Sequence, residues 1–244
     1  MVFRAAACCL MLVASSISAS ATNVVELFTS QGCSTCPPAD RLLGQLSEDP
    51  DILALTFPID YWDYLGWKDS NARPEYSHRQ RAYARARGDN AVFTPQMIVN
   101  GRVAVIGSRE DEVRAAVRGL DEAGSKPGLT VSARIEGDRL VVDLPEAAKG
   151  GDNRATLWVA SYLKPQTVHV GAGENRDQTI VYHNVVDRWQ VAALWEGKPA
   201  KVELPLSEIV GDDTAGIAII LQDKHDGMLG PILGVARLPL TSGT

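Results

Sequence analysis

Cys33 and Cys36, two residues apart, stand between an apolar run, Val24-Val25-Glu26-Leu27-Phe28, and a pair of prolines, Pro37-Pro38. The run reads as a buried strand and the prolines as a helix opening, because the first turn of a helix tolerates residues without an N–H. The cysteines therefore sit where a strand gives way to a helix, facing the unpaired N–H groups and the positive dipole end of its first turn. Both favour a thiolate. Cys33 is expected as the attacking sulfur, and Cys36, one turn on and facing inward, as the sulfur that resolves a mixed disulfide formed on Cys33.

Other uses of the pair have to be weighed. A closed zinc site wants four Cys or His ligands, and His78, His169, His183 and His225 show no zinc-like spacing. Copper(I) accepts two soft thiolates, so a copper(I)-binding, metallochaperone-like module built on Cys33 and Cys36 is an alternative. An inert staple is the weaker explanation, since closing so short a loop removes roughly 2 kcal/mol of unfolded-state entropy, against ~3 for a fifteen-residue loop. Glu26 interrupts the strand. As a buried carboxylate near Cys36 it would take up that thiol's proton; otherwise it faces solvent or pairs with a Lys or Arg.

The elements that position these groups follow from periodicity. Met1 to Arg4 make a basic start, Ala5 to Val13 an apolar run too short to span a bilayer, and Ala19-Ser20-Ala21 a cleavage site, so residues 1–21 read as a signal peptide. Of the four cysteines in the 244-residue chain, Cys8 and Cys9 leave with it. Export is expected, to the periplasm or beyond the cell, with no stable membrane insertion afterwards. The remaining roughly 220 residues can bury a sizeable core, and a net charge of −6 argues against nucleic acid or anionic lipid as partners. Residues 39–47 carry helical apolar spacing with Asp40 in the first turn, and 52–59 form a second buried strand, parallel to the first because a helix separates them. Residues 60–69 are an aromatic loop, read as packing, with Asp60, Asp63 and Lys68 as possible lining of a groove near the cysteines. The Arg-rich segment 77–88 reads as a solvated helix. Two strands, 92–99 and 102–107, joined by Asn100-Gly101, carry the strongest short hairpin signal, and 110–120 forms a last helix. After Gly124, residues 125–128 look like a linker; from 129 to 244 short strands at 129–135, 139–144, 155–162, 178–186, 201–206, 215–221 and 232–238 point to an antiparallel sandwich.

The order β-α-β-α-β-β-α, the Cys-x-x-Cys turn and a proline heading the hairpin resemble the thioredoxin superfamily. More narrowly, residues 25–40, Asp-Tyr-Trp-Asp-Tyr-Leu-Gly-Trp-Lys-Asp at 60–69, Thr-Pro-Gln-Met-Ile-Val-Asn-Gly at 94–101, Gly173-Glu174-Asn175-Arg176 and Tyr182-His183-Asn184-Val185-Val186 resemble an exported bacterial family known as a domain of unknown function, numbered 1223. The resemblance implies an α/β thioredoxin-like domain over 22–124 and a mainly antiparallel β-sandwich-like domain over 129–244. It implies a cis Thr94–Pro95 bond beside the cysteines, leaving the Thr94 carbonyl and the Gln96 N–H to a substrate strand. Two places depart from the superfamily: Gly32 stands where an aromatic residue is usual, and Ser34-Thr35 matches neither the reducing nor the oxidising dipeptides. Glu174, Asn175, Arg176 and His183 are read as structural polar contacts. The expectation is an exported thiol–disulfide oxidoreductase with Cys33, Cys36, Pro95, Thr94 and Glu26 as site residues, no cofactor beyond its own disulfide, and a protein or small-thiol redox partner. An envelope protein-binding scaffold is the remaining alternative.

Overall fold

The computed structural model describes residues 22–148, 153–225 and 227–240, so the expected signal segment lies outside the described residues. Strand β1 (Asn23–Thr29) is buried along its whole length. Its alternation sends Val25 and Leu27 to one face and Val24 and Phe28 to the other. Helix α1 (Pro37–Ser47) leads into β2 (Ile52–Pro58), which pairs in parallel with β1 from Asn23 opposite Ile52 to Thr29 opposite Pro58. Helix α2 (Pro74–Arg87) ends at Gly88, whose φ of 79° supplies the left-handed cap. β3 (Gln96–Val99) and β4 (Val103–Ile106) form the hairpin, with Asn100 and Gly101 at φ 51° and 68°, the positive pair that a tight two-residue turn requires. β3 starts four residues later than the periodicity suggests, because Pro95 has no N–H to give a ladder. α3 (Glu110–Glu122) completes the unit, and the sheet runs β2-β1-β3-β4. α1 and α3 cover one face of it through Leu42, Leu43, Leu46 and Val113.

The remaining strands are β5 (Ser132–Glu136), β6 (Arg139–Leu144), β7 (Ala155–Leu163), β8 (Gln166–His169), β9 (Thr179–Tyr182), β10 (Val186–Trp195), β11 (Ala200–Pro205), β12 (Thr214–His225) and β13 (Met228–Pro239). They pair antiparallel as β10-β7-β12-β13, β11-β6-β5 and a separate β8-β9 ribbon. The run 178–186, expected as one strand, is broken by Asn184 at φ 48°, which turns the chain from β9 into β10. Along β12, Ile217, Ile219 and Leu221 pack toward β5 and β6, while Ala218 and Ile220 pack the other way, against Phe28, Phe57, Tyr76 and Tyr83 of the first half. The central sheet is thus buried on both faces.

The two halves share this second interface as one core. Thr56 N–H donates to Asn184 O at 3.0 Å and Asn184 Nδ2 to Ala54 O at 3.0 Å, closing the outer edge of β2. On the opposite side Ile232 N–H donates to Asn100 O at 3.0 Å. The 125–128 connection marks a change of texture in the chain, while the packing runs across it.

Helix α2 corrects the expectation of a solvated face. Tyr76, Arg79, Gln80 and Tyr83, spaced i, i+3, i+4, i+7, are buried between the halves, and only Arg81 and Arg85 of the expected basic face stay exposed beside the half-buried Arg87. A stripe containing Arg and Gln reads as polar, yet here Arg79 is held by Glu26, Tyr83 and, across the interface, Gln222, and Gln80 by Tyr61, Phe93 and Gln96 of its own half. Among the described residues no helix is long and apolar enough to cross a membrane.

Candidate functional site

Cys33 and Cys36 are joined in a disulfide with Cα atoms 5.4 Å apart. Cys36 is the N-cap of α1, and its carbonyl accepts the N–H groups of Ala39 and Asp40 at 2.8 and 3.1 Å. The turn ahead of it is closed by Cys33 N–H to Ser30 O and Cys36 N–H to Cys33 O, both 3.1 Å. The Thr94–Pro95 bond is cis. Thr35 Oγ1 lies 3.5 Å from Cys33 Sγ and donates to Thr94 O at 3.4 Å, so the cysteine turn and the Thr94-Pro95 segment meet directly.

Glu26 does not join them. It lies on the face of β1 turned away from α1, where its carboxylate accepts from Arg79 Nε at 2.7 Å and from the Tyr83 hydroxyl. Arg79 donates in turn to Gln222 Oε1 at 3.0 Å and lies 4.3 Å from the Trp189 ring centroid. Of the two roles open to Glu26, this is pairing with an arginine; its expected role as proton acceptor for Cys36 fails because strand alternation points it to the other side of the sheet.

The carboxylate that the helix does bring to the cysteine face is Asp40. It stands four residues after Cys36, so both side chains lie on one buried stripe with Ala39, Leu43 and Leu46. Burial pushes its carboxyl up to about 8; the Thr29 hydroxyl and Arg41 oppose the rise, and the nearby Asp69 carboxylate adds to it. Neither Asp40 oxygen has a hydrogen-bond partner of normal geometry, nor do the buried hydroxyls of Thr29 and Tyr182, the latter also within the field of Asp40 and Asp69. The signal was present in the sequence: an acid in the middle of an apolar stripe. It is easily passed over, because an acid in a first turn is ordinary helix chemistry.

The aromatic loop and the second half frame the front of the disulfide. Trp62 Nε1 donates to Thr94 Oγ1 at 2.8 Å, and a Cβ on Gly32 would meet Trp62 Cβ at 3.2 Å. Trp62 therefore takes the space that an aromatic residue at position 32 would need. Trp67 Nε1 donates to Gln31 Oε1 and Asp69 Oδ2 accepts the Gln31 N–H, each at 2.8 Å. Burial raises the Asp69 carboxyl, with the N–H groups of Gln31 and Asn71 opposing the rise. Asn175, between β8 and β9, donates its side-chain N–H groups to Gln31 O at 2.9 Å and Cys33 O at 2.8 Å, and Glu174 Oε2 accepts from Ser34 N–H at 3.3 Å. Beside these contacts Cys33 is 2% exposed and Cys36 fully buried, while Ser34 and Thr35 remain open. Cys33, expected from the motif as the attacking sulfur, is buried, and a loop about 140 residues away in the chain bonds to its carbonyl and to the Ser34 N–H; no local pattern carries that information. Asp60 bonds to Ser77, Asp63 to the Asp69 N–H, and Lys68 is exposed, so the polar residues of the loop brace it. His183 packs its ring on Gly44 of α1, where any Cβ would come within 2.8 Å of it. Among the described residues no group of three or more His, Cys, Asp or Glu side chains is gathered to hold a metal ion.

The family model described as "Protein of unknown function (DUF1223)" matches residues 24–222. The chain belongs to this family. The DUF1223 match takes in the cysteine turn, the Thr94-Pro95 segment and the Asn175 loop together. Among solved structures, the chain is similar to the crystal structure of protein AGR_C_4864 from Agrobacterium tumefaciens, with 34% identity, a TM-score of 0.80, and coverage of 91% of this chain and 96% of that one. It also shares a fold with HBP35 of Porphyromonas gingivalis, at 13% identity and a TM-score of 0.57, over 90% of this chain and 75% of that one. No curated protein matches the chain.

Proposed function

We propose that this DUF1223 member is an exported thiol–disulfide oxidoreductase of thioredoxin-like build, working through the Cys33–Cys36 couple. The observation that carries the reading is the disulfide itself, closed at the N-terminus of α1 with a buried, neutral-leaning acid one turn behind it. The sheet order β2-β1-β3-β4 with α1 and α3 on one face supports the thioredoxin-like reading of 22–124, and the facing antiparallel sheets support a sandwich-like reading of 129–244. Export is supported by the apolar leader and by an oxidised pair, which persists in oxidising compartments.

The chemistry balances without a separate cofactor. A partner thiolate attacks Cys33 Sγ, forming a mixed disulfide and expelling the Cys36 thiolate. Asp40, protonated at neutral pH, gives that sulfur its proton. A second partner thiolate then attacks the partner sulfur of the mixed disulfide, leaving the partner oxidised and Cys33 and Cys36 reduced. In the reverse direction Asp40 as carboxylate takes the Cys36 proton. Thr94, with Pro95 beside it, offers its carbonyl at the edge of the site.

Two variants test the reading. Cys33→Ser is expected to abolish exchange with a model dithiol or disulfide, and Cys36→Ala to trap a covalent partner on Cys33. Full exchange activity in Cys33→Ser would overturn it, and tight copper(I) binding by the reduced protein without exchange would favour the metal-holding alternative. Equilibration of the Cys33–Cys36 couple with glutathione then sorts oxidant from reductant.

A further inference from the structure

Disulfide exchange requires a nucleophile to reach a sulfur nearly in line with the S–S bond, and a sulfur on a residue 2% exposed offers little surface for such an approach. Something must move. The candidates around Cys33 are unequal. The cysteine turn is tied back to Ser30 and caps α1, and Trp62 is pinned to Thr94 within the first half. The remaining segment bonded to the cysteine turn, residues 171–178, belongs to the second half and sits at the tip of the β8-β9 ribbon, whose strands pair with each other alone. Isolated two-stranded ribbons have little stability of their own.

The base of this ribbon is fixed. Val170, Ile180, Tyr182 and Val185 form a small cluster with Trp67 and Leu163. The tip is a closed loop held by its own backbone: Val170 N–H to Gln178 O at 2.9 Å, Asp177 N–H to Val170 O at 2.8 Å and Gln178 N–H to Asn175 O at 3.0 Å. Its two bonds to Val170 make that fixed residue the hinge about which 171–178 would move as one piece. What ties it to the cysteine turn is a short set of contacts: the two Asn175 donations, with Gln178 Nε2 donating to Asn175 Oδ1 at 3.2 Å to orient that amide, the Glu174–Ser34 bond, and Trp67 against Gly171 and Gly173. Asn175 is itself fully buried by this docking.

We infer that residues 171–178 form a latch over the Cys33–Cys36 disulfide, with Asn175 as the positioning residue that holds it shut and thereby sets how often the sulfur can be attacked. The inference rests on the exchange reading for its purpose, and on the burial of Cys33 and the Asn175 bonds for its geometry. It gives the second half a function at the site: the β-rich part supplies the gate, and a partner must displace Asn175 from the Cys33 and Gln31 carbonyls before reaching Cys33.

The test is the rate at which dithiothreitol reduces Cys33–Cys36 in the folded full-length mature chain, read by acid quench and thiol alkylation. The wild-type second-order rate constant is expected to fall at least tenfold below that of the same chain unfolded in urea. Asn175→Ala, which removes both bonds from the loop to the Gln31 and Cys33 carbonyls and the Gln178 bond that orients them, is expected to raise the folded-state rate on the order of tenfold. Glu174→Gln, a change on an exposed side chain that keeps the fold intact, is expected to raise it about twofold. Amide exchange should rise at 171–178 and stay unchanged in β7 and β12, which separates latch opening from general loosening. A wild-type rate equal to that of the unfolded chain, or rates unmoved by both variants, overturns the latch. If Asn175→Ala accelerates reduction as expected but neither protein exchanges with a peptide dithiol, the latch stands and the oxidoreductase reading falls.

Discussion

Of the buried carboxylates around the first sheet, Glu26 and Asp40 could hardly be treated more differently. Glu26, on the side facing α2, has an arginine, a tyrosine hydroxyl and, through Arg79, Gln222 from the other half of the chain. Asp40, on the side covered by α1, has two oxygens without a hydrogen-bond partner of normal geometry and a carboxyl raised to about 8. Removing an ion from water costs several kcal/mol unless charge and hydrogen bonds are returned to it. Where they are returned, the group can stay charged and becomes a structural tie. Where they are not, it holds its proton at neutral pH and becomes a reservoir for one. In the exchange proposed above, the acid that would act is the one whose surroundings fail it, and that difference is not visible in residue type.

The comparison breaks most violently at Arg79. Arg79→Met strands the Glu26 charge in a core of Phe57, Trp158 and Trp189, and is expected to cost about 3–5 kcal/mol, read as a lower urea midpoint. The double variant Arg79→Met with Glu26→Leu should recover most of that loss, as removal of both members of a buried pair does elsewhere. A double variant no better than the single would mean that the tie is more than an ion pair.

Asp40 should respond in the opposite sense. Its folded value of about 8 lies above the ordinary 3.8, so the native state binds the extra proton. Its contribution to stability is fully present below pH 3.8, is lost progressively as pH rises toward 8, and is flat beyond. Asp40→Asn should remove that slope and leave the protein more stable than wild type near pH 8, by on the order of a few kcal/mol. The same substitution should slow resolution at Cys36 by about a hundredfold and erase the limb near pH 8 from the rate profile. Urea melts at pH 5 and pH 8 and single-turnover exchange measure both halves of this expectation. A stability profile of Asp40→Asn parallel to wild type would place the acid elsewhere.

The finest contrast comes from two tyrosines. Tyr83 bonds to Glu26, Arg79 and Gln222, so Tyr83→Phe should cost about 1.5–3 kcal/mol. The Tyr182 hydroxyl is buried without a partner, so Tyr182→Phe should change thermal stability by less than ~1 kcal/mol, toward stabilisation. Equal costs at the two positions would blur the distinction drawn between the two sides of the sheet.

What could be read in the sequence was what is local. The cysteine turn, the prolines opening α1, the Asn100-Gly101 hairpin and the parallel pairing forced by a helical crossover each depend on a few neighbouring residues. The role of Glu26 could not be assigned, because its partner Arg79 comes from a helix that looks solvated by composition and is buried only when β12 arrives behind it with Gln222. The tie between residues 174–175 and the cysteine turn was hidden for the same reason. Glu174 and Asn175 read as structural polar contacts between the halves or in a turn, and nothing near them in the chain says that the cysteine turn is what they bond to.

The core shared across the 125–128 connection sets a limit on how this polypeptide can be divided. Cleavage there would strip the cover from Phe28, Phe57, Tyr76 and Tyr83 on one fragment and from Ala218 and Ile220 on the other, leaving two sticky surfaces in place of two soluble modules. Anyone transplanting the dithiol unit into another scaffold would have to bring the whole β-rich half with it.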